Sequence, residues 1–137
     1  PMQWNHGVNF GFSNASPEKL YIPTDDKPNS PTVEDQMKDP NSLYYEVKKL
    51  IALRREHSAL LSDGDIEFVS DGADGSPLAY IRSSADEKIL VVVNPADREA
   101  VLEVPGTWNV CLYTVGGIVK AEHGKLIVAP KSANLLK

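Results

Sequence analysis

The sequence predicts a mainly β fold, an antiparallel β-sandwich or partly closed barrel, preceded by a long loop and one long α-helix. Three observations predict it. From Asp65 onward, short runs rich in Val, Ile, Leu and Tyr are divided by glycine-containing turn residues. Before them, one stretch repeats apolar residues at helical spacing. Earlier still, Pro17, Pro23, Pro28, Pro31 and Pro40 interrupt any regular element.

Residues 1 to about 40 therefore read as a long tether or lid. Within it Thr32 can cap a short helical turn, with Asp35 three residues on in an approximate capping box. Asn41 or Ser42 then caps a helix expected over about 42–57. Leu43, Val47, Leu50 and Ile51 form its apolar stripe, while Glu46, Lys48, Lys49 and Arg55 lie largely off it. Ser62-Asp63-Gly64 is expected to end this region. Strands follow at Ile66–Ser70, Leu78–Ser83, Lys88–Asn94, Ala100–Val104, Asn109–Thr114, Ile118–Ala121, Lys125–Val128 and Ala133–Leu136. Reversals fall at Asp71-Gly72, Asp74-Gly75, Pro105-Gly106, Gly116-Gly117 and His123-Gly124. Ile89 to Val93 is apolar throughout, as a central strand covered on both faces requires. The expected division is 1–61 and 62–137.

Length and composition narrow the function. A chain of 137 residues accommodates one modest core and excludes a large catalytic barrel. The apolar fraction of 42% and charged fraction of 24% are those of an ordinary globular protein, and no run is long and apolar enough to span a bilayer as a helix. A net charge of −5 argues against nucleic acid as a partner. The basic cluster Lys48, Lys49, Arg54 and Arg55 is interleaved with Glu46 and Glu56, as on a solvated helix face. Cys111 is the only cysteine, so no internal disulfide forms, and a reducing, cytoplasmic setting is compatible.

The opening residues have the character of an active-site loop that precedes any scaffold able to hold it. Pro1-Met2-Gln3-Trp4 and Asn9-Phe10-Gly11-Phe12-Ser13 combine aromatics with amides and glycine. Together with Lys19-Leu20-Tyr21-Ile22-Pro23, Val33-Glu34-Asp35-Gln36, Asp39-Pro40-Asn41-Ser42-Leu43 and Lys49-Leu50-Ile51-Ala52-Leu53-Arg54, they resemble the tail of an α-glucosidase of the α-amylase superfamily, glycoside hydrolase family thirteen. The similarity is greatest to oligo-1,6-glucosidases and trehalose synthases and covers roughly the first sixty residues.

The resemblance implies a larger enzyme in which a (β/α)8 barrel carries the chemistry. Pro1 to Trp4 would follow its eighth strand, the helix over 42–57 would be its last helix, and the strands would form the C-terminal β-domain. It also implies retaining hydrolysis or transfer of α-glucosyl units through an aspartate nucleophile, a glutamate acid/base and a further aspartate. All three belong to strands upstream, so none is carried onto this chain, which is expected to be inactive by itself. Asn5 stands where an aspartate often follows the tryptophan, and Phe10 where a small residue is usual.

No catalytic residue is assigned. Asp25 and Asp26 are adjacent in a proline-broken loop and read as solvated turn residues rather than an acid/base pair. Trp4 and Phe10 offer faces for stacking on a sugar ring, while Gln3, Asn5, His6 and Asn9 offer hydrogen bonds to hydroxyls. These six are the candidate substrate-binding residues in the parent enzyme; the alternative is that Trp4 and Phe12 only anchor the loop.

No metal or cofactor is expected. His6, His57 and His123 lack ligand spacing, and His57 at the helix end can interact with the helix dipole when protonated. Ser13 and Ser132 lack a nucleophile-elbow context, and Cys111 reads as a small buried group.

Three readings remain. The chain is the non-catalytic end of a glucosidase, its β-domain capping the missing barrel of the same polypeptide. Alternatively the β-domain is a carbohydrate-binding module, for which Trp108, Tyr80 and Tyr113 are the aromatics, although their strand contexts suit a core equally. The third is a protein-interaction domain, in which Leu43, Val47, Leu50 and Ile51 drive self-association.

Overall fold

The computed structural model describes residues 1–25, 27, 29–122 and 124–137, with Asp74 described by its backbone alone. Internal contacts divide the chain into two compact units, Pro1–Ala52 and Leu53–Lys137.

The first unit holds short 3-10 turns at Val8–Gly11 and Pro17–Lys19, helix α1 (Val33–Lys38) and the start of α2 (Leu43–Glu56). The expected cap at Thr32 is present. Its fully buried hydroxyl accepts from the Asp35 amide at 3.1 Å and donates to Asp35 Oδ2 at 2.8 Å. The other free amides of α1 are closed by the opening residues, Val33 N–H donating to Gln3 O and Glu34 N–H to Trp4 O. At α2 the cap differs from expectation. The Ser42 hydroxyl donates backwards to Gln36 O at 2.6 Å, and the Gln36 side-chain oxygen accepts from Tyr44 N–H at 3.0 Å. One glutamine thus joins the end of α1 to the start of α2. No residue of α2 is buried.

The helix stops sooner than Ser62-Asp63-Gly64. It ends at Glu56, His57 takes extended backbone (φ −116°), and a 3-10 turn covers Ser58–Leu60.

Among the described residues the second unit carries eight strands: β1 (Asp65–Asp71), β2 (Leu78–Ser83), β3 (Lys88–Asn94), β4 (Ala100–Glu103), β5 (Cys111–Val115), β6 (Lys120–Glu122), β7 (Lys125–Val128) and β8 (Ser132–Leu136). They form two separate sheets, a five-stranded one in the order β1-β2-β3-β8-β5 and a three-stranded one in the order β4-β7-β6, with all pairings antiparallel. Among the described residues the sheets do not join into a closed barrel. The turn at Gly116-Gly117 uses φ of 78° and 151°, accessible to residues without a Cβ.

β3 lies at the centre of the larger sheet and is covered on both faces, as its continuous apolar run requires. Leu90 and Val92 point to a core shared with Ala79, Ile81, Leu126 and Val128, which binds the two sheets together. Ile89 and Val91 point the other way, to a second cluster closed by Ala59 and flanked by Leu53 and Leu60. Two buried asparagines stitch the sheets. Asn94 Nδ2 donates to Arg98 O, Val128 O and Ala129 O, and Asn134 Oδ1 accepts from Val119 N–H. Buried amides with such partners are satisfied and fix the register between layers.

Two strand-level expectations are corrected. Cys111 is exposed, because β5 is a sheet edge and its pairing with β8 shifts register between Cys111 and Tyr113. Trp108 lies in the connection before β5, not in a strand; its half-buried ring packs against the inter-sheet core.

Candidate functional site

The opening loop is held by consecutive left-handed residues, an arrangement its amides and glycine permit. Asn9 (φ 49°), Phe10 (φ 54°) and Gly11 (φ 72°) all adopt positive φ. Asparagine tolerates this region and glycine prefers it; phenylalanine does not, so the surrounding bonds hold it there. Phe10 O accepts from Trp4 N–H at 2.8 Å and from Asn5 N–H at 3.2 Å, and Phe10 N–H donates to Gly7 O. A Cβ at Gly11 would lie 2.7 Å from Asn5 Nδ2, so the loop also needs glycine for space.

Most of the candidate polar side chains are already engaged. Asn9 is buried, and its amide donates to Ser13 O at 2.9 Å and Ala15 O at 2.7 Å. Asn5 Oδ1 accepts from Gly7 N–H at 2.8 Å, and Gln3 Nε2 donates to Asp25 O at 2.9 Å. His6 Nε2 lies 2.6 Å from Asp35 Oδ2, tying the loop to α1. The Thr32 hydroxyl, and then His6, hold the exposed Asp35 carboxyl below its ordinary range.

These contacts leave Gln3 Oε1, Asn5 Nδ2 and His6 Nδ1 without a hydrogen bond among the described residues. Trp4 and Phe12 are half-exposed, whereas Phe10 is largely turned inward. The loop can therefore present two aromatic faces and a few hydrogen-bonding groups. Asp25 is exposed and accepts from Lys27 N–H, while its neighbour Asp26 lies outside the described residues. Among the described residues no group of three or more His, Cys, Asp or Glu comes together, and His123 lies outside them. Among these residues, too, no helix is long and apolar enough to cross a membrane.

Beside the loop, α2 presents its stripe. Leu43, Val47, Leu50 and Ile51 are all exposed, and with Met2, Val33 and Tyr44 most of them line an apolar groove of about 490 Å³.

Residues 1–64 match the family model described as alpha amylase, catalytic domain, and residues 66–115 match that of maltogenic amylase, C-terminal domain. The chain belongs to the α-amylase superfamily. A glucan 1,6-α-glucosidase of Streptococcus pneumoniae is 37% identical over 106 residues, covering 77% of this chain and 19% of that enzyme. An oligo-1,6-glucosidase of Halalkalibacterium halodurans is 35% identical over 105 residues, covering 77% and 18%. A trehalose synthase/amylase of Mycobacterium tuberculosis is 35% identical over 104 residues, covering 72% and 17%. The chain thus spans about a fifth of the length of the curated relatives it matches. Among solved structures, an isomaltulose synthase of Erwinia rhapontici superposes with a TM-score of 0.79 at 26% identity, over 99% of this chain and 24% of that one. A trehalulose synthase of Pseudomonas mesoacidophila, at 24% identity and a TM-score of 0.80, shares the fold.

One partly buried charge cluster of this superfamily member had no signal in the sequence. The side chain of Glu87, at the β2–β3 turn, is 9% exposed and receives His57 Nδ1 at 2.8 Å and Lys137 Nζ at 2.7 Å on one oxygen, with Ala59 N–H 3.4 Å from the other. Burial pushes its carboxyl up, but the hydrogen bonds from Lys137, His57 and Ala59 outweigh it and bring the pKa down to about 2. Its partners lie 30 and 50 residues away, a separation that local patterning does not reveal.

Proposed function

We propose that this chain is the non-catalytic end of an enzyme that hydrolyses or transfers α-glucosyl units. In this reading residues 1–61 complete a catalytic barrel and residues 62–137 form a β-domain that caps and stabilises it. Gln3, Trp4, Asn5, His6, Asn9 and Phe10 contribute to the rim of the glucose pocket: Trp4 stacks, Gln3, Asn5 and His6 reach hydroxyls, and Asn9 and Phe10 hold the loop's curvature. The apolar stripe of α2 packs against the barrel, and the lone thiol suits a reducing, cytoplasmic setting.

The observation that carries this reading is the order of the two family matches, the catalytic domain over 1–64 followed directly by the C-terminal domain over 66–115. The exposed stripe on α2 supports it, since a buried partner is what such a stripe needs. The relatives' identities as a glucan 1,6-α-glucosidase, an oligo-1,6-glucosidase and a trehalose synthase/amylase support the substrate class.

The test joins this chain behind the barrel of an oligo-1,6-glucosidase and assays it beside the chain alone on maltose, isomaltose, trehalose and a chromogenic α-glucoside. Turnover by the joined protein alone, reduced when Trp4 is replaced by alanine, is the expected result. Turnover by the isolated chain would refute it, and unchanged kinetics of the Trp4→Ala variant would remove the loop from the pocket.

A further inference from the structure

We propose that the end of the β-sandwich beside Trp108 is a second saccharide site, one that takes a neutral glucoside ring. Two cavities flank this tryptophan. One of about 410 Å³ is lined by Glu67, Ile81, Lys88, Thr107, Trp108 and Lys137. The other, about 280 Å³, shares Gly106, Thr107 and Trp108 with it and reaches Asn109 and Lys125. Sites for small molecules typically occupy about 300–1,000 Å³, so the larger cavity suffices for one or two sugar rings.

The aromatic is fixed before any ligand arrives. Trp108 Nε1 donates to Pro105 O at 2.9 Å, and Gly106 makes the intervening turn at φ 90°. Past the ring, Asn109 N–H and Val110 N–H donate to Lys137 O, and Lys137 N–H returns to Val110 O at 2.8 Å. Both ends of the connection are tied to the sandwich, so little order remains to be imposed on binding.

The charges select the ligand class. Glu67 and Lys88 make no ion pair among the described residues and are opposite in sign. The third charge, on Lys137, is matched by Glu87 at 2.7 Å. A cavity so balanced has no net attraction for an anion, yet it offers a carboxylate to accept from hydroxyls, and an ammonium and a hydroxyl to donate to them. An indole beside this pair supplies the apolar surface that the C–H face of a pyranose requires. Tyr80 and Tyr113 pack instead on the opposite core cluster, which leaves Trp108 as the aromatic of this site.

The chain has two tryptophans, so the two indole N–H resonances of the isotope-labelled protein report separately on the opening loop and on this site. Titration with maltose, isomaltose and methyl α-glucoside is expected to shift the Trp108 signal saturably, with a Kd on the order of a millimolar. Glu67→Ala and Lys88→Ala, both at exposed positions, are each expected to weaken binding about tenfold while leaving the spectrum folded. Trp108→Leu should abolish it; if that variant unfolds, the two charge variants carry the test. A stationary Trp108 signal would overturn the proposal, as would equal shifts in the charge variants or a response to inorganic phosphate but not to sugars. A shift of Trp4 alone would also overturn it while leaving the loop's proposed part in a glucose pocket intact.

Discussion

His57 Nδ1 lies 2.8 Å from Glu87 Oε1, joining the residue just past α2 to the turn between β2 and β3. Because the ionised carboxylate only accepts, His57 must carry its proton on Nδ1. With Lys137 on the same oxygen, Glu87 links the entry to the second unit, a central hairpin and the residue after β8. Its folded pKa of about 2 lies below the ordinary 4.5, so the stability it contributes is fully present above about pH 4.5 and is lost as pH falls towards 2. Glu87→Ala should cost about 2 kcal/mol at neutral pH. Urea midpoints measured from pH 7 to pH 2 should fall less steeply in the variant below pH 4.5 than in the parent chain.

Asn9 is predicted to shape the loop through its amide nitrogen. Asn9→Asp keeps a residue tolerant of positive φ but replaces two donated hydrogen bonds, to Ser13 O and Ala15 O, with contacts between oxygens. Amide exchange at Phe12, whose N–H bonds Asn9 O, should quicken on the order of tenfold in Asn9→Asp. Exchange within β3 should be unchanged. Equal rates at Phe12 in the two proteins would show that the loop does not depend on this side chain.

The elements with a regular period were legible in the sequence, and those set by tertiary partners were not. β2, β3 and β7 run over the expected residues because each is a short apolar run closed by turn residues. α2 follows its stripe to within a residue at each end. Cys111 misled because alternation fails at a register shift on an edge strand, whereas Trp108 packs on the core, as its context suited, from a connection. In the loop, residue types suggested binding but not how many of those side chains hold the loop itself. Asn9 Nδ2 is wholly engaged, and no local pattern announces that.

Two glycines with similar backbones should respond differently to alanine. Gly116 (φ 78°) and Gly124 (φ 77°) both lie in the left-handed region, where alanine costs about 1–2 kcal/mol. Among the described residues nothing lies within 4 Å of a Cβ at Gly124, so Gly124→Ala should cost only that strain. A Cβ at Gly116 would lie 2.0 Å from Lys131 O, a backbone atom beside β8, so Gly116→Ala must also displace the chain there. Urea denaturation should place Gly116→Ala at least about 1 kcal/mol below Gly124→Ala. Equal midpoints would show that the turn before β6 yields freely.

The stripe on α2 carries the last prediction. Leu43 is 69% exposed, Val47 45% and Ile51 49%, and together they front the groove of about 490 Å³ beside Met2 and Val33. Contiguous apolar surface of this kind is unfavourable in water unless covered. In the proposed enzyme the barrel covers it; in the isolated chain a second copy is the available cover. Sedimentation velocity should therefore show the sedimentation coefficient rising with concentration. Val47→Glu with Ile51→Glu should abolish that rise while leaving the β-domain's unfolding unchanged, because neither side chain belongs to its core clusters. A strictly monomeric parent chain would mean that the stripe does not drive association by itself. Association that survives both glutamates would locate the contact elsewhere, with the exposed Ile66 and Phe68 on edge strand β1 the next positions to change.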